Sequence, residues 1–553
     1  MPTAAADLLS TAQTALQHGD WTDARRHFEE ALADEESPDA RLGLGEALWW
    51  LGQFHASLEE RKRAYAGYRA RGDRVQAASV AVWMSISLQA GFGNLAASSG
   101  WAARAERLLD DDDPGAMAGW ALLARACGAA DAAVGEPLAS DALSLARRFG
   151  DTDLELCALS ERGWWLVAGG KVDEGFACLD EAAAGSLAGE VTHLFPVVFT
   201  SCTMLVAATR CGDFVRAVGW VHATETFIRR YGGPYLFAHC RSAYGGVLLA
   251  TGAWEEAEHE LLLAVRASEG GTCPPVYAEA LGRLCRLWVG QGRVEEAAQL
   301  LAGFHDETCT ALARAEVRVA QSELVEAISG LTRRLSQLSM PSIEGVSLLG
   351  LLVEINIGRD DLLLARETAE RLEVVAALIG REAELAVAAL ASGRVARAEG
   401  DSGKAVGQLQ ASFDSFCRLG MPFDRERARL ELARALACDD PQGAIAEARL
   451  ALAGLDALGA RPAADAAAEF VRSLGGRARS GPIGRGGLTG REAQILELLG
   501  VGLSNPDIAT RLCVSRKTVE HHVGNILSKL GLSGRAAAAA YVLRTPTTNR
   551  ARK

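Results

Sequence analysis

Leu488-Thr-Gly-Arg-Glu-Ala-Gln-Ile-Leu-Glu-Leu-Leu499, followed by Ser504-Asn-Pro-Asp-Ile-Ala-Thr-Arg-Leu-Cys-Val-Ser-Arg-Lys-Thr-Val-Glu-His-His-Val-Gly-Asn-Ile-Leu-Ser-Lys-Leu530, contains two short helices joined by a tight turn. At about 100° per residue from Arg516, the side chains of Val519, Val523, Ile526, Leu527 and Leu530 fall on one apolar stripe. Lys517, His521, Gly524 and Ser528 lie opposite, Thr518 and Asn525 on one flank, Glu520 on the other. Ser515 stands where an N-cap belongs, so its hydroxyl can take a free helix amide. In the preceding helix Ser504 or Asn505 is the cap, and Pro506 fits the first turn, where its missing amide costs nothing. Ile508, Ala509 and Leu512 face inward, and Cys513 and Val514 fill the turn. Each local choice agrees with the others.

Two helices in this arrangement can push the second into the major groove of DNA. Its start offers unpaired amides and a positive dipole end beside Arg516 and Lys517, which suits a phosphate. The segment resembles the four-helix C-terminal domain of the LuxR family. The pattern L-T-x-R-E is met by Leu488, Thr489, Arg491 and Glu492. The pattern [ST]-N-x-[DE]-I-A-x-x-L is met by Ser504, Asn505, Asp507, Ile508, Ala509 and Leu512. The pattern S-x-x-T-V-x-x-H-x-x-N-I-x-x-K-L is met by Ser515, Thr518, Val519, His522, Asn525, Ile526, Lys529 and Leu530. The resemblance implies that the third helix enters the major groove. It also implies that the fourth, at about 534–544, makes a dimer contact.

Lys517 and His521 are expected to read bases, with Ser515, Arg516, Thr518, Asn525 and Lys529 positioning the helix on phosphate. His522 is either a packing residue or a base contact. Glu520 stands where relatives are commonly basic, and Gly524 where a longer polar side chain is frequent. A carboxylate beside phosphates is costly unless it accepts from a cytosine N4 or pairs with a neighbouring cation.

Charge divides the chain in the same way. From Arg477 onward there are 13 Lys and Arg against 4 Asp and Glu, whereas the 553-residue chain as a whole carries −13. A basic module on an acidic body suits a polyanion at the tail only. Gly475-Gly-Arg-Ala-Arg-Ser-Gly-Pro-Ile-Gly-Arg-Gly-Gly487 reads as a linker spanning on the order of 20 Å.

The body reads as a repeat array. A marker glycine recurs at Gly19, Gly52, Gly91, Gly128, Gly170, Gly212, Gly252, Gly292, Gly358, Gly400 and Gly443, at intervals of 33 to 43 residues broken by one of 66. Around the clearer ones an apolar residue follows two positions on and a small residue five on, as in Gly19/Trp21/Ala24, Gly170/Val172/Gly175 and Gly252/Trp254/Ala257. The glycine would end one helix in the left-handed conformation, and the small residue would let two helices close up. This is similar to tetratricopeptide repeats. The long interval hides either a degenerate repeat or an insertion near Ser339-Met-Pro-Ser342.

The fold class is therefore all-α. A tetratricopeptide-like solenoid over 1–474 precedes a linker at 475–487 and a four-helix helix-turn-helix domain at 488–553. No apolar run reaches eighteen residues and no basic-then-apolar leader opens the chain, so a cytoplasmic location without membrane contact is expected. Twelve cysteines lack the two-residue spacing of zinc knuckles. Large LuxR-type regulators begin with an ATPase, but G-x-x-x-x-G-K-[ST] does not occur here. No catalysis, cofactor or metal is expected. The reading is a bacterial-type transcription regulator that binds double-stranded DNA as a homodimer. Its body would take a protein, peptide or small-molecule effector, and RNA polymerase is a further candidate partner. The alternative is a helical scaffold whose C-terminal module contacts protein rather than DNA.

Overall fold

A computed structural model of the chain describes residues 4–109, 115–268, 274–304, 310–338, 341–478, 490–512, 516–530, 532 and 534–544. Among the described residues every regular element is a helix. The chain divides into two compact units, one of residues 1–289 with 294–388, the other of residues 290–293 with 389–553.

Helical hairpins build the first unit, and the helices Thr152–Ala168 and Val172–Ala188 show how the sequence makes one. Gly170 takes φ +88°. Its amide donates to the Val167 carbonyl at 3.0 Å and that of Lys171 to Leu166 at 2.8 Å, so the first helix ends on satisfied carbonyls. Five residues on, Gly175 meets Gly163 of the opposite helix. A Cβ on either would stand 2.6–2.7 Å from the other's carbonyl oxygen. Only the absence of a side chain permits that approach. The same small position is filled by fully buried Ala24, Ala257 and Ala297 in other hairpins.

Seven of the marker glycines, Gly19, Gly52, Gly170, Gly212, Gly252, Gly292 and Gly400, have positive φ as expected. Four do not act that way. Gly91 lies inside the helix Arg74–Phe92, which Gly93 ends at φ +63°. Gly128 closes its helix at φ −89°. Gly358 is the last residue of the helix Ile343–Gly358, and Asp360 takes the left-handed turn at φ +62°. Gly443 sits in the first turn of Pro441–Leu458, where its amide bonds the Asp440 carboxylate at 2.9 Å. A neighbouring residue makes the turn near Gly91 and Gly358, the Asp440 carboxylate caps the helix at Gly443, and Gly128 closes its helix without a left-handed turn.

The interval of 66 contains a degenerate repeat. The helices Ala311–Ala320 and Leu324–Gln337 make a hairpin whose left-handed residue is Ser322, φ +67°. Ser322 and Glu323 donate to Val319 and Arg318 at 3.0 and 2.8 Å. The turn is of the same kind as that at Gly170, but its glycine is gone.

Helices distant in sequence meet inside the first unit. The Trp21 Nε1 donates to the Tyr231 carbonyl at 2.6 Å, and Gly52 faces Pro234. Trp21 stacks on Trp50 with centroids 4.6 Å apart and planes 4° apart, and Trp49 packs edge-on to Trp50 at 5.0 Å. Such pairs each add about 0.5–1.5 kcal/mol beyond their burial. The hairpins from Ala4 onward thus curl until early helices touch Pro234–Thr251, with the apolar helix Phe195–Cys211 packed among them. Arg74–Phe92 alone among the described helices is long and apolar enough to cross a membrane by composition, and half of it is buried against its neighbours.

In the second unit, buried Glu431 holds three arginines: Arg434 at 2.8 Å, Arg394 at 3.3 Å and Arg397 at 3.4 Å.

Candidate nucleic-acid interface

Four helices form the C-terminal module: Gly490–Gly500, Asn505–Arg511, Arg516–Lys529 and Arg535–Arg544. They exist because one apolar stripe of each meets in a common core. Ile495, Leu499, Ile508, Val519, Ile526 and Ala538 are within 1% of complete burial, and Val523, Leu527, Leu530, Tyr541 and Val542 pack against them. The stripe read from the sequence on the third helix is therefore the inward one, and Ile508 and Ala509 point in as expected.

Gly502, at φ +87°, ends the first helix. Ser504 rather than Asn505 is the cap of the second. The Asp507 amide approaches the Ser504 hydroxyl at 3.4 Å, and the Ser504 amide donates to the Asp507 carboxylate at 3.2 Å, with the two side chains bonded to each other. That reciprocal cap satisfies amides left open at the helix start. Asn505 instead accepts from Arg535 Nη1 at 2.7 Å, and Arg535 Nη2 donates to the Leu503 carbonyl. The fourth helix is thereby tied to the turn before the second.

On the third helix, Arg516 and Lys517 are exposed in the first turn, and Gly524 is exposed with open space around its Cβ position. Glu520 accepts from Arg516 Nε at 2.8 Å, four residues away, with side chains 71% and 45% exposed. The carboxylate thus has a cation of its own. A pair so open to water is worth only about 0.3–0.5 kcal/mol, so a phosphate can compete for the guanidinium. His522 and Asn525 are half-buried on the flank toward the core. Thr518, His521 and Lys529 lie in the helix, but their side chains fall outside the described ones. Ser515 itself lies outside the described residues, as does 479–489, which covers most of the expected linker.

Known proteins share this module. The sequence pattern described as "Bacterial regulatory proteins, luxR family" matches residues 487–542. The spore germination protein GerE of Bacillus subtilis is 42% identical over 57 residues, which are 10% of this chain but 77% of that protein. The chain belongs to the luxR family of bacterial regulatory proteins. Within the family, the transcriptional regulatory protein LnrK of Bacillus subtilis is 47% identical over 57 residues, 26% of its length. The DNA-binding transcriptional activator DevR/DosR of Mycobacterium tuberculosis is 38% identical over 76 residues, 34% of its length. This luxR-family chain thus spans about a third or less of those two relatives. Over 85% of its length it also aligns with the APC/C hetero-tetramer Cut9-Hcn1, covering 96% of that chain at 12% identity and TM-score 0.37.

Sequence reading missed Arg535 in this module. It lies past the motif, and its bond to Asn505 joins residues 30 apart, which no helical periodicity reveals.

Proposed function

We propose that this luxR-family chain is a transcription regulator whose third C-terminal helix, about 515–530, reads double-stranded DNA in the major groove. The observation that carries the reading is the split of that helix. Val519 and Ile526 are completely buried, while Lys517 and Gly524 face water on the far side and Arg516 is exposed in the first turn. An exposed helix start with cations meets phosphate, and the side chains of the first turns reach base edges. Lys517 and His521 read bases. Ser515, Arg516, Thr518, Asn525 and Lys529 hold the backbone, Glu520 regulates the availability of Arg516, and His522 supports the helix from its flank.

The domain plan is a repeat body over 1–474, a linker over 475–487 and the reader over 488–553. The protein acts in the cytoplasm as a homodimer on DNA and catalyses no reaction. An effector held by the body shifts the fraction of readers competent for DNA, and RNA polymerase is the further partner of the bound form.

The test is a gel shift of the full chain on promoter fragments over a salt series. Each phosphate neutralised adds about −0.9 to the slope of log affinity on log salt. Sequence preference with a steep slope supports the reading. A flat slope without preference would leave a scaffold that contacts protein.

A further inference from the structure

The curl of the first unit forms a partly open cavity of about 300 Å³ whose lining belongs to no part of the reader. That volume is at the lower end of small-molecule sites. Its walls come chiefly from the first helices of successive hairpins, Pro38–Trp50, Arg74–Phe92, Met117–Cys127, Thr152–Ala168, Phe195–Cys211 and Pro234–Thr251. Rings dominate them. Trp49 meets Phe54 edge-on at 5.9 Å, Phe195 at 6.3 Å and Tyr235 at 6.4 Å, while Phe195 meets Phe199 at 5.8 Å.

Beyond the hydroxyls of Ser57, Ser87 and Thr203, three larger polar side chains interrupt this apolar box. His239 is 7% exposed and stacks parallel to Tyr235 at 6.2 Å, with the Cys202 backbone beside its ring. Burial lowers its pKa, against the charge of Glu279 and a hydrogen bond at the Cys202 backbone. Gln89 donates its amide to the Cys127 carbonyl, and its Oε1 is buried without a donor. Glu161 is 6% exposed beside the Cys127 thiol and the Trp165 indole, whose N–H donates to the Ala126 carbonyl at 3.2 Å. Among the described residues no lysine or arginine lines the cavity. Arg61, buried over the Trp83 ring at 5.5 Å and favoured by the charge of Glu46, stands outside the lining.

A buried carboxyl without a cation, ringed by aromatic faces, is an incomplete ion pair. Aromatic quadrupoles attract a cation, most strongly when it has lost its water. We propose that this cavity binds a flat lipophilic amine, whose ammonium meets Glu161 and Gln89 Oε1 while its rings lie against Trp49, Phe195 and Tyr235. His239 offers the remaining acceptor or donor to a substituent on the same ligand. The proposal deepens the reading of the body as the sensing half of the regulator and names the chemistry it senses.

Calorimetry on the full chain without DNA tests the site apart from the reader, so failure here and failure of the gel shift are separate results. Proflavine, acridine and acridine carboxylate supply a cation, a neutral ring and an anion of one shape, compared at about pH 8, where Glu161 is ionised. Proflavine should bind at least about tenfold tighter than the other two. Glu161→Gln should remove that advantage and leave acridine unchanged. Ser87→Phe, which fills the cavity from its wall, should abolish binding of both with the circular dichroism spectrum retained. Equal or tighter binding of the anion, no binding of proflavine, or a Glu161→Gln chain that keeps the cation preference would each overturn the proposal.

Discussion

Ile526→Ala is the perturbation that the geometry of the reader predicts most closely. The side chain is fully buried among Ile495, Leu499, Ile508, Val519 and Ala538. Removing it forfeits the transfer of its carbons, about 2.4 kcal/mol at 0.8 kcal/mol each, and leaves a cavity, so about 3 kcal/mol is expected. A module of about 55 residues holds only about 3–5 kcal/mol in total. The loss therefore takes most of its stability and leaves between about half and nearly all of the modules folded. Hydrogen exchange on the full chain reads this directly. Amides of Gly490–Gly500 and Arg516–Lys529 should lose roughly 150-fold in protection, since 1.4 kcal/mol is tenfold. Amides of Thr152–Ala168 should be unchanged, because that helix belongs to the other compact unit. DNA affinity at 25 °C should fall by no more than about twofold, since the folded readers still bind. Unchanged protection in the module would refute the shared core, and equal loss in Thr152–Ala168 would refute its independence.

Other perturbations carry equally definite expectations. Glu520→Gln frees Arg516 and removes a carboxylate from the phosphate side, so DNA binding should tighten up to about threefold at low salt, the gain fading as salt rises. Weaker binding confined to one G·C position would instead make Glu520 a reader of cytosine. Burial pushes the Glu161 carboxyl up to about 7. The unfolded chain then releases that proton first, so its ionisation should cost stability progressively from about pH 4.5 to about pH 7, by about 3 kcal/mol in total, and add nothing above. The pH dependence of chemical denaturation should show that slope in the natural chain and lose it in Glu161→Gln; parallel curves would disprove the burial of a titrating acid. Ser322→Gly relieves a left-handed serine and should stabilise the body by about 0.5–1 kcal/mol in a thermal melt, where a lower melting point would contradict the turn assigned there.

The reader was legible because its helices are short, amphipathic and capped by residues whose chemistry is local. Val519, Val523, Ile526, Leu527 and Leu530 needed only the helical period to be placed inward. The choice between Ser504 and Asn505 as cap needed three dimensions, because Arg535 claims Asn505 from 30 residues away. The hairpins were legible where glycine made the turn and blurred where it did not. Ser322 and Asp360 do the work of glycine at φ +67° and +62°, at a strain that sequence composition does not display. The aromatic cavity was not legible at all. Trp49, Glu161, Phe195 and His239 are brought together by the curl of successive hairpins, a long-range consequence with no motif of its own.

The central claim, that Arg516–Lys529 lies in the major groove, is tested most directly by dimethyl sulfate footprinting of the full chain on its promoter. Guanine N7 is exposed only in that groove. The account predicts protected guanine N7 positions within each half-site, lost when Lys517 and His521 are both changed to alanine. Bound DNA without N7 protection, or protection that survives the double substitution, would contradict it.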